Sequence, residues 1–236
     1  MNTTLEELDI SGELTHLEVC RFGSGLNQAL TGLSHNKALK VLKIEYQNLG
    51  FEGSNALASV LENNQCLTHI YCSHNDIGMQ AFTTLVHAMA KNNTVIELPY
   101  MIQDQEESTK RMKATMSEMK RDPSRRFSSA LGVTKLGQGQ EVTQQDIASA
   151  VDILREQWDT LGKRLATYLD RNRNIAVGVE EYTPAEEIPR PSPVMSESAI
   201  LHQVLTHTTP SVELGNPVDD YVNILKGLGS KSYNTL

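Results

Sequence analysis

The strongest constraint in this sequence is an apolar pattern that returns every 28 residues. Leu39 and Leu67 occupy equivalent positions, and Val95 follows after the same interval to open a third copy with Leu98. A fixed period of this length is typical of folds built from stacked units. The seven recurring positions are Leu39, Leu42, Ile44, Leu49, Gly53, Leu57 and Leu61 in the first copy, and Leu67, Ile70, Cys72, Ile77, Ala81, Leu85 and Met89 in the second.

Each copy contains two different spacings. Leu42 and Ile44 alternate as in a strand with one buried face, and Leu57 and Leu61 lie four apart, as on one stripe of a helix. Each copy is therefore predicted to be a short strand followed by a helix. One unit cannot stand alone, because about six buried side chains at roughly 1.5–3 kcal/mol each do not offset an ordering cost of about 1–2 kcal/mol for every residue.

The pattern L-x-x-L-x-L-x-x-N-x-L-x-x-x-G-x-x-x-L-x-x-x-L resembles the ribonuclease-inhibitor class of leucine-rich repeats, over roughly residues 14–98. The resemblance implies an α/β fold, a short solenoid with a curved parallel sheet and helices on its convex side, followed by an α-helical C-terminal region. In this class a turn Asn bonds the backbone of adjacent coils. Asn75 occupies that position, but Gln47 and Phe22 depart from it, so the series is expected to be broken there.

The first strand of the array is expected to begin at Leu14. Residues 5–10 carry the same strand signature, but Leu14 follows too soon for a full repeat, so this segment is interpreted as an N-terminal cap that could form a strand beside the first repeat strand. The outward columns of the sheet are then His16, Val41, His69 and Glu97, and beside them Glu18, Lys43, Tyr71 and Pro99.

Three segments are expected along the chain. Residues 1–102 form the solenoid with its cap, residues 103–179 a helical capping region, and residues 180–236 a proline-containing acidic linker with short C-terminal helices. Apolar spacing predicts those short helices near residues 198–207 and 217–227. It also predicts a helix ending near residue 121 with a buried stripe of Met112, Met116 and Met119.

Residues 143–173 are predicted to form the longest helix. Thr143 and Asp146 resemble a capping box. The helix could cover the open end of the solenoid, form an intermolecular coiled coil or bind a partner. Its apolar seam is Ile147, Val151, Leu154, Trp158, Leu161, Leu165 and Tyr168.

Charge and cysteine usage narrow the function classes. The net charge is −8, and only residues 104–127 are weakly basic, which argues against nucleic-acid binding. No signal peptide and no run of about 18 apolar residues is visible, so no membrane span is expected. Cys20, Cys66 and Cys72 lack metal-ligand spacing and indicate a cytoplasmic protein with reduced thiols, without metal or cofactor.

Side chains between the apolar strand positions are expected to point out of the concave face, where repeat proteins bind their partners. Tyr and Arg are also the residue types enriched at binding hot spots. The alternative is an ordinary solvated sheet face. The predicted partner-binding residues are Arg21, Lys43, Glu45, Tyr46, His69, Tyr71 and His74.

The expected function is a non-enzymatic module that binds a protein partner, as a monomer or weak dimer. Such repeats joined to unassigned helices and an acidic tail are similar to bacterial effectors delivered into the host cytosol. The alternatives are a substrate-recognition part of a GTPase-activating or ubiquitin-pathway protein, an actin-capping role, and a scaffold that self-associates through residues 147–168. No cysteine follows Cys72, which argues against a ubiquitin ligase. The segment Arg125-Arg126-Phe127-Ser128 matches a basophilic-kinase pattern at Ser128, and the alternative is a solvated basic turn.

Overall fold

The computed structural model describes residues 2–12, 24–121, 142–179 and 194–206. The chain divides after Thr206 into two units, and all that follows concerns the first, Met1–Thr206. The predicted helix near 217–227, Ser128 and most of the 180–197 linker lie outside the described residues. In chain order the elements are β1 (Glu7–Asp9), α1 (Ser24–Leu33), β2 (Val41–Lys43), α2 (Gly50–Asn63), β3 (His69–Tyr71), α3 (Met79–Lys91), α4 (Ile102–Arg121), α5 (Gln144–Ala176) and α6 (Glu197–Thr206).

The predicted fold class, an α/β leucine-rich-repeat solenoid with a curved parallel sheet, is wrong. About 62% of the described residues are helical, and the sheet has three short parallel strands that are not curled, with no solenoid of repeats in these ranges. The third copy of the pattern forms only a bridge between His69 and Glu97 before α4 begins at Ile102. Because the array ends there, the sheet is too small to curve.

The first strand also differs from the prediction. β1 pairs directly with β2, with Leu8 opposite Leu42, and β2 pairs with β3, with Leu42 opposite Ile70. Residues 5–10 therefore supply the strand that the sequence assigned to the segment beginning at Leu14, which lies outside the described residues. The 28-residue repeat could not identify this strand, because Leu8 precedes Leu42 by 34 residues rather than 28.

Behind the sheet, α1, α2 and α3 pack side by side, and Leu42, Ile70, Leu57 and Leu85 are fully buried between the layers. Cys72 lies in this core, as its strand position predicts. Burial raises the pKa of its thiol, so the group stays protonated.

After α2 and after α3 a buried Asn joins neighbouring units. The Asn64 amide donates to the carbonyls of Leu33, at 2.7 Å, and Asn36, at 3.0 Å, and its oxygen accepts from the Leu67 N–H. Asn92 repeats this arrangement one unit later, donating to Leu61 and accepting from Val95. These bonds satisfy backbone groups at the helix ends and in the loops that follow, which would otherwise be buried without partners.

Helix α5 closes the far side of this array. The predicted capping box of Thr143 and Asp146 is present. Asn172 donates to the Val95 carbonyl at 2.7 Å. The Arg171 guanidinium donates to the carbonyls of Met89, Ala90 and Asn92 at the C-terminal end of α3. A cation is favourable there because the helix dipole places partial negative charge at this end.

The apolar seam of α5 faces its own chain. All seven of its residues are at most 8% exposed, and the helix packs against α3, α4 and α6. This seam is therefore not free to form a coiled coil with a second copy. The methionine stripe of α4 is buried as predicted. The sequence left open whether α6 docks on the chain or stays free, and its apolar residues are buried in the structure: Ile200, Leu201, Val204 and Leu205.

An aromatic cluster anchors α5 to α3. Phe82 stacks on Trp158 with ring centroids 4.6 Å apart, and the Tyr100 ring meets both edge-on. Gly162 leaves room for Tyr100, because a Cβ at this position would lie 2.7 Å from the ring carbon Cε2.

We predict that Gly162→Ala destabilises the protein although alanine is the better helix former. Crowding the Tyr100 ring should cost about 1–3 kcal/mol, which exceeds the gain of about 1 kcal/mol in helix propensity. The matched control is Gly32→Ala in α1, where a Cβ meets nothing within 4 Å. Urea unfolding of both variants checks this, and a stabilised Gly162→Ala variant would contradict the packing.

The Tyr100 hydroxyl is buried and has no hydrogen-bond partner among the described residues. Burial, together with the charge of Asp159, raises its pKa from 10.0 to about 12. The raised pKa therefore leaves the free energy of unfolding unaffected below pH 10 and lowers it as the pH rises from 10 through 12.

We predict that the free energy of unfolding of Tyr100→Phe lies within about 1 kcal/mol of the wild-type value at pH 7, and that this variant loses less stability than wild type above pH 10. Parallel pH profiles of the two proteins in thermal unfolding would refute this.

Candidate functional site

The candidate site is the exposed side of the three-stranded sheet. Strand register aligns Glu7, Val41, His69 and Glu97 in one outward row. Asp9, Lys43 and Tyr71 form the next row, and Glu45 follows Lys43 on the same side. We call the polar members of these rows the sheet face: Glu7, Asp9, Lys43, Glu45, His69, Tyr71 and Glu97.

Hydrogen bonds and charges connect the strands across this face. The Lys43 Nζ lies 2.6 Å from Glu7 Oε1, and this bond raises the Lys43 pKa. The Tyr71 hydroxyl donates to Glu97 Oε1 at 2.8 Å, which raises the Tyr71 pKa. His69 Nε2 lies 3.6 Å from the other oxygen of Glu97. Glu97 therefore orients both rings of its neighbouring strand.

Two aromatic rings stack where the strands end. Tyr46 and His74 follow β2 and β3, and their ring centroids are 4.3 Å apart with only 11° between the planes. Both residues have left-handed backbones, with φ of 57° and 60°. Asn48 and Asp76 repeat this conformation two residues later. The two turns therefore have matching shapes, which places one ring against the other.

Buried side chains hold these turns. The Asn75 amide donates to the carbonyl of Ile44 at 2.7 Å and to that of Cys72 at 2.9 Å, and its oxygen accepts from the Gln47 N–H at 2.8 Å. Gln47 donates to the Ile10 carbonyl at 2.6 Å. The expected break at Gln47 is therefore wrong, because its longer side chain still reaches the preceding strand.

Asp104 completes the series on its far side. Its carboxylate is 3% exposed and accepts from the backbone N–H groups of His74, at 2.9 Å, Asn75, at 3.0 Å, and Ile77, at 3.0 Å. Burial raises its pKa, while the three N–H donors act in the opposite direction. Asp104 was not among the residues predicted from the sequence. Its position 29 residues after Asn75 is the signal that could have found it.

Six of the seven predicted partner-binding residues lie together in this region. Tyr46 and His74 form the stack, and the other four belong to the sheet face, which are Lys43, Glu45, His69 and Tyr71. Arg21 lies outside the described residues, as do His16 and Glu18 of the predicted columns. Glu7 and Asp9 stand in the places predicted for His16 and Glu18. These two carboxylates were not predicted as part of the site, because the first strand was expected in the wrong segment.

The rest of the described chain offers few other sites. Among residues 2–12, 24–121, 142–179 and 194–206, no three His, Cys, Asp or Glu side chains are grouped to hold a metal ion. Within the same ranges, no helix has the length and apolar character needed to cross a bilayer.

Comparisons with known proteins add little to this geometry. No family model and no curated protein matches the sequence. Among solved structures, the chain is similar to one titled leiomodin-1 actin-binding site 2, with 15% identity and a TM-score of 0.41 over 75% of this chain and 85% of that one. A likeness at that score carries no argument about fold or function, and the resemblance to leucine-rich repeats stays a prediction.

We predict that Asp104→Ala lowers the free energy of unfolding by at least about 2 kcal/mol, because it leaves three backbone N–H groups without their acceptor. The control is Asp152→Ala, an exposed carboxylate on α5, which should change stability by less than about 0.5 kcal/mol. Urea unfolding measures both variants. Equal midpoints would show that Asp104 does not hold the turn.

Proposed function

We propose that this chain is a protein-binding module and that the sheet face, together with the Tyr46–His74 stack, is its contact surface. The proposal rests chiefly on the stack itself. Two aromatic rings lie partly exposed at the edge of the sheet and stack on each other, with their centroids 4.3 Å apart. The turns that carry them are held by Asn75, which accepts from the Gln47 N–H, and by Asp104, which accepts from the His74 N–H.

A rigid aromatic pair suits binding for a thermodynamic reason. Ordering an interface side chain costs about 0.5–1.5 kcal/mol, and rings already held in place avoid most of that cost. Aromatic residues are also enriched among those that dominate binding energy. Tyr71, on the sheet face, is a third such group, since its hydroxyl is held by Glu97.

The polar surroundings fit this role as well. Glu45 and His69 are partly exposed on the same side of the sheet as Tyr71. A few rings within a polar rim match the usual composition of a non-obligate interface. The expectations of a bacterial effector, of a cytoplasmic location and of a GTPase-activating or ubiquitin-pathway role stay predictions.

The test removes the rings without changing the backbone. Tyr46→Asn keeps a residue type that tolerates a left-handed φ, and Tyr71→Thr keeps a residue type that suits a strand. We expect the double variant to lose the proteins that the immobilised wild-type chain captures from lysate, while urea unfolding shows that it folds.

The control is Ile175→Ala with Val177→Ala, which trims apolar side chains that are 48% and 74% exposed at the end of α5. This variant should capture the same proteins as wild type. If instead the control loses them and Tyr46→Asn/Tyr71→Thr retains them, the contact surface lies near the end of α5 and the proposal is wrong.

A further inference from the structure

The charges of the sheet face do not balance. Its one lysine, Lys43, is paired with Glu7 at 2.6 Å, and the adjacent Lys40 is paired with Glu6 at 3.0 Å. Arg111, on the neighbouring α4, is paired with Asp76. Each of these cations already has a carboxylate of its own.

Three carboxylates are left over. Asp9, Glu45 and Glu97 form no ion pair with any lysine or arginine of the described residues. Asp9 accepts from the Ser11 N–H at 3.0 Å, which lowers the Asp9 pKa. Glu97 accepts from Tyr71 and lies 3.6 Å from His69. The face therefore keeps an excess of negative charge beside its exposed rings.

We propose that the partner segment seated on this face is rich in lysine and arginine. This inference rests on the proposed function, and it names the chemistry of the partner. Cations would neutralise Asp9, Glu45 and Glu97, the carboxylates of the sheet face that form no ion pair with a lysine or arginine of the described residues. An acidic segment would instead be repelled by all three.

The rings favour the same partner. A lysine or arginine side chain is attracted to the face of a tyrosine ring, and arginine also stacks on it. Tyr71 is hydrogen-bonded to Glu97, and Tyr46 directly follows Glu45 in the chain, so a cation attracted to either ring is also attracted to a neighbouring carboxylate. Since these carboxylates are partly exposed, the attraction speeds association and weakens with salt.

The probe is a short fluorescein-labelled peptide of alternating lysine and serine, with a glutamate–serine peptide as its counterpart. The full-length chain is titrated into each, and fluorescence anisotropy is followed at low and high ionic strength. We expect the lysine peptide alone to bind, with an affinity that falls as salt is added. Binding of the glutamate peptide, or of neither peptide, overturns the inference.

Two variants of equal net charge locate the binding. Glu45→Lys/Glu97→Gln changes the sheet face, whereas Glu52→Lys/Glu106→Gln changes exposed positions on α2 and α4. We expect the first to weaken binding of the lysine peptide at least about tenfold, or 1.4 kcal/mol, and the second to weaken it much less. Equal loss in both variants would show that net charge alone attracts the peptide, and the inference would fail.

Failure of this inference can be separated from failure of the proposed function. If proteins captured from lysate are lost with Tyr46→Asn/Tyr71→Thr but kept with Glu45→Lys/Glu97→Gln, the face binds a partner that is not basic. In that case the inference fails and the proposed function stands. If neither variant changes capture, both fail.

Discussion

The sheet depends on buried side chains that satisfy the backbone where the strands end. The strands are only three residues long, so the ladder leaves the following turns with unpaired N–H and carbonyl groups. Gln47, Asn75 and Asp104 supply the missing partners one after another. Without them, buried donors and acceptors would each cost about 1–3 kcal/mol. Because Tyr46 and His74 belong to these turns, the buried hydrogen bonds fix the positions of both rings.

The same series explains why the stack of units stops. An asparagine side chain donates and accepts, so Asn75 can link the strand before it to the turn after it. The Asp104 carboxylate only accepts, and it belongs to the first turn of α4, where a negative charge is favourable. At the opposite end of the helices Asn172, on α5, bonds Val95 and closes the second series. Two helices therefore terminate the array, and its growth into a solenoid is prevented.

The spacing of apolar residues predicts structure correctly where neighbours in the sequence alone decide it. The seam of α5 and the methionines of α4 were predicted correctly because residues three and four apart share one helix face. The pairing of β1 with β2 was not, since it joins Leu8 to Leu42 across an interval that no other part of the sequence repeats. The predicted fold class was wrong for a related reason. A period seen in two copies predicts that neighbours pack, but the residue that ends the array, Asp104, interrupts no apolar pattern.

The most informative detail of the candidate site is the identity of one left-handed residue. Asn48 and Asp76 adopt positive φ with side chains that tolerate it. Tyr46 adopts the same conformation with a bulky ring, which costs on the order of 1–3 kcal/mol. Asparagine would form this turn at lower cost, so stability does not explain the tyrosine. The ring stacks on His74 and is partly exposed at the edge of the sheet, and for this reason the proposed contact surface is centred on it.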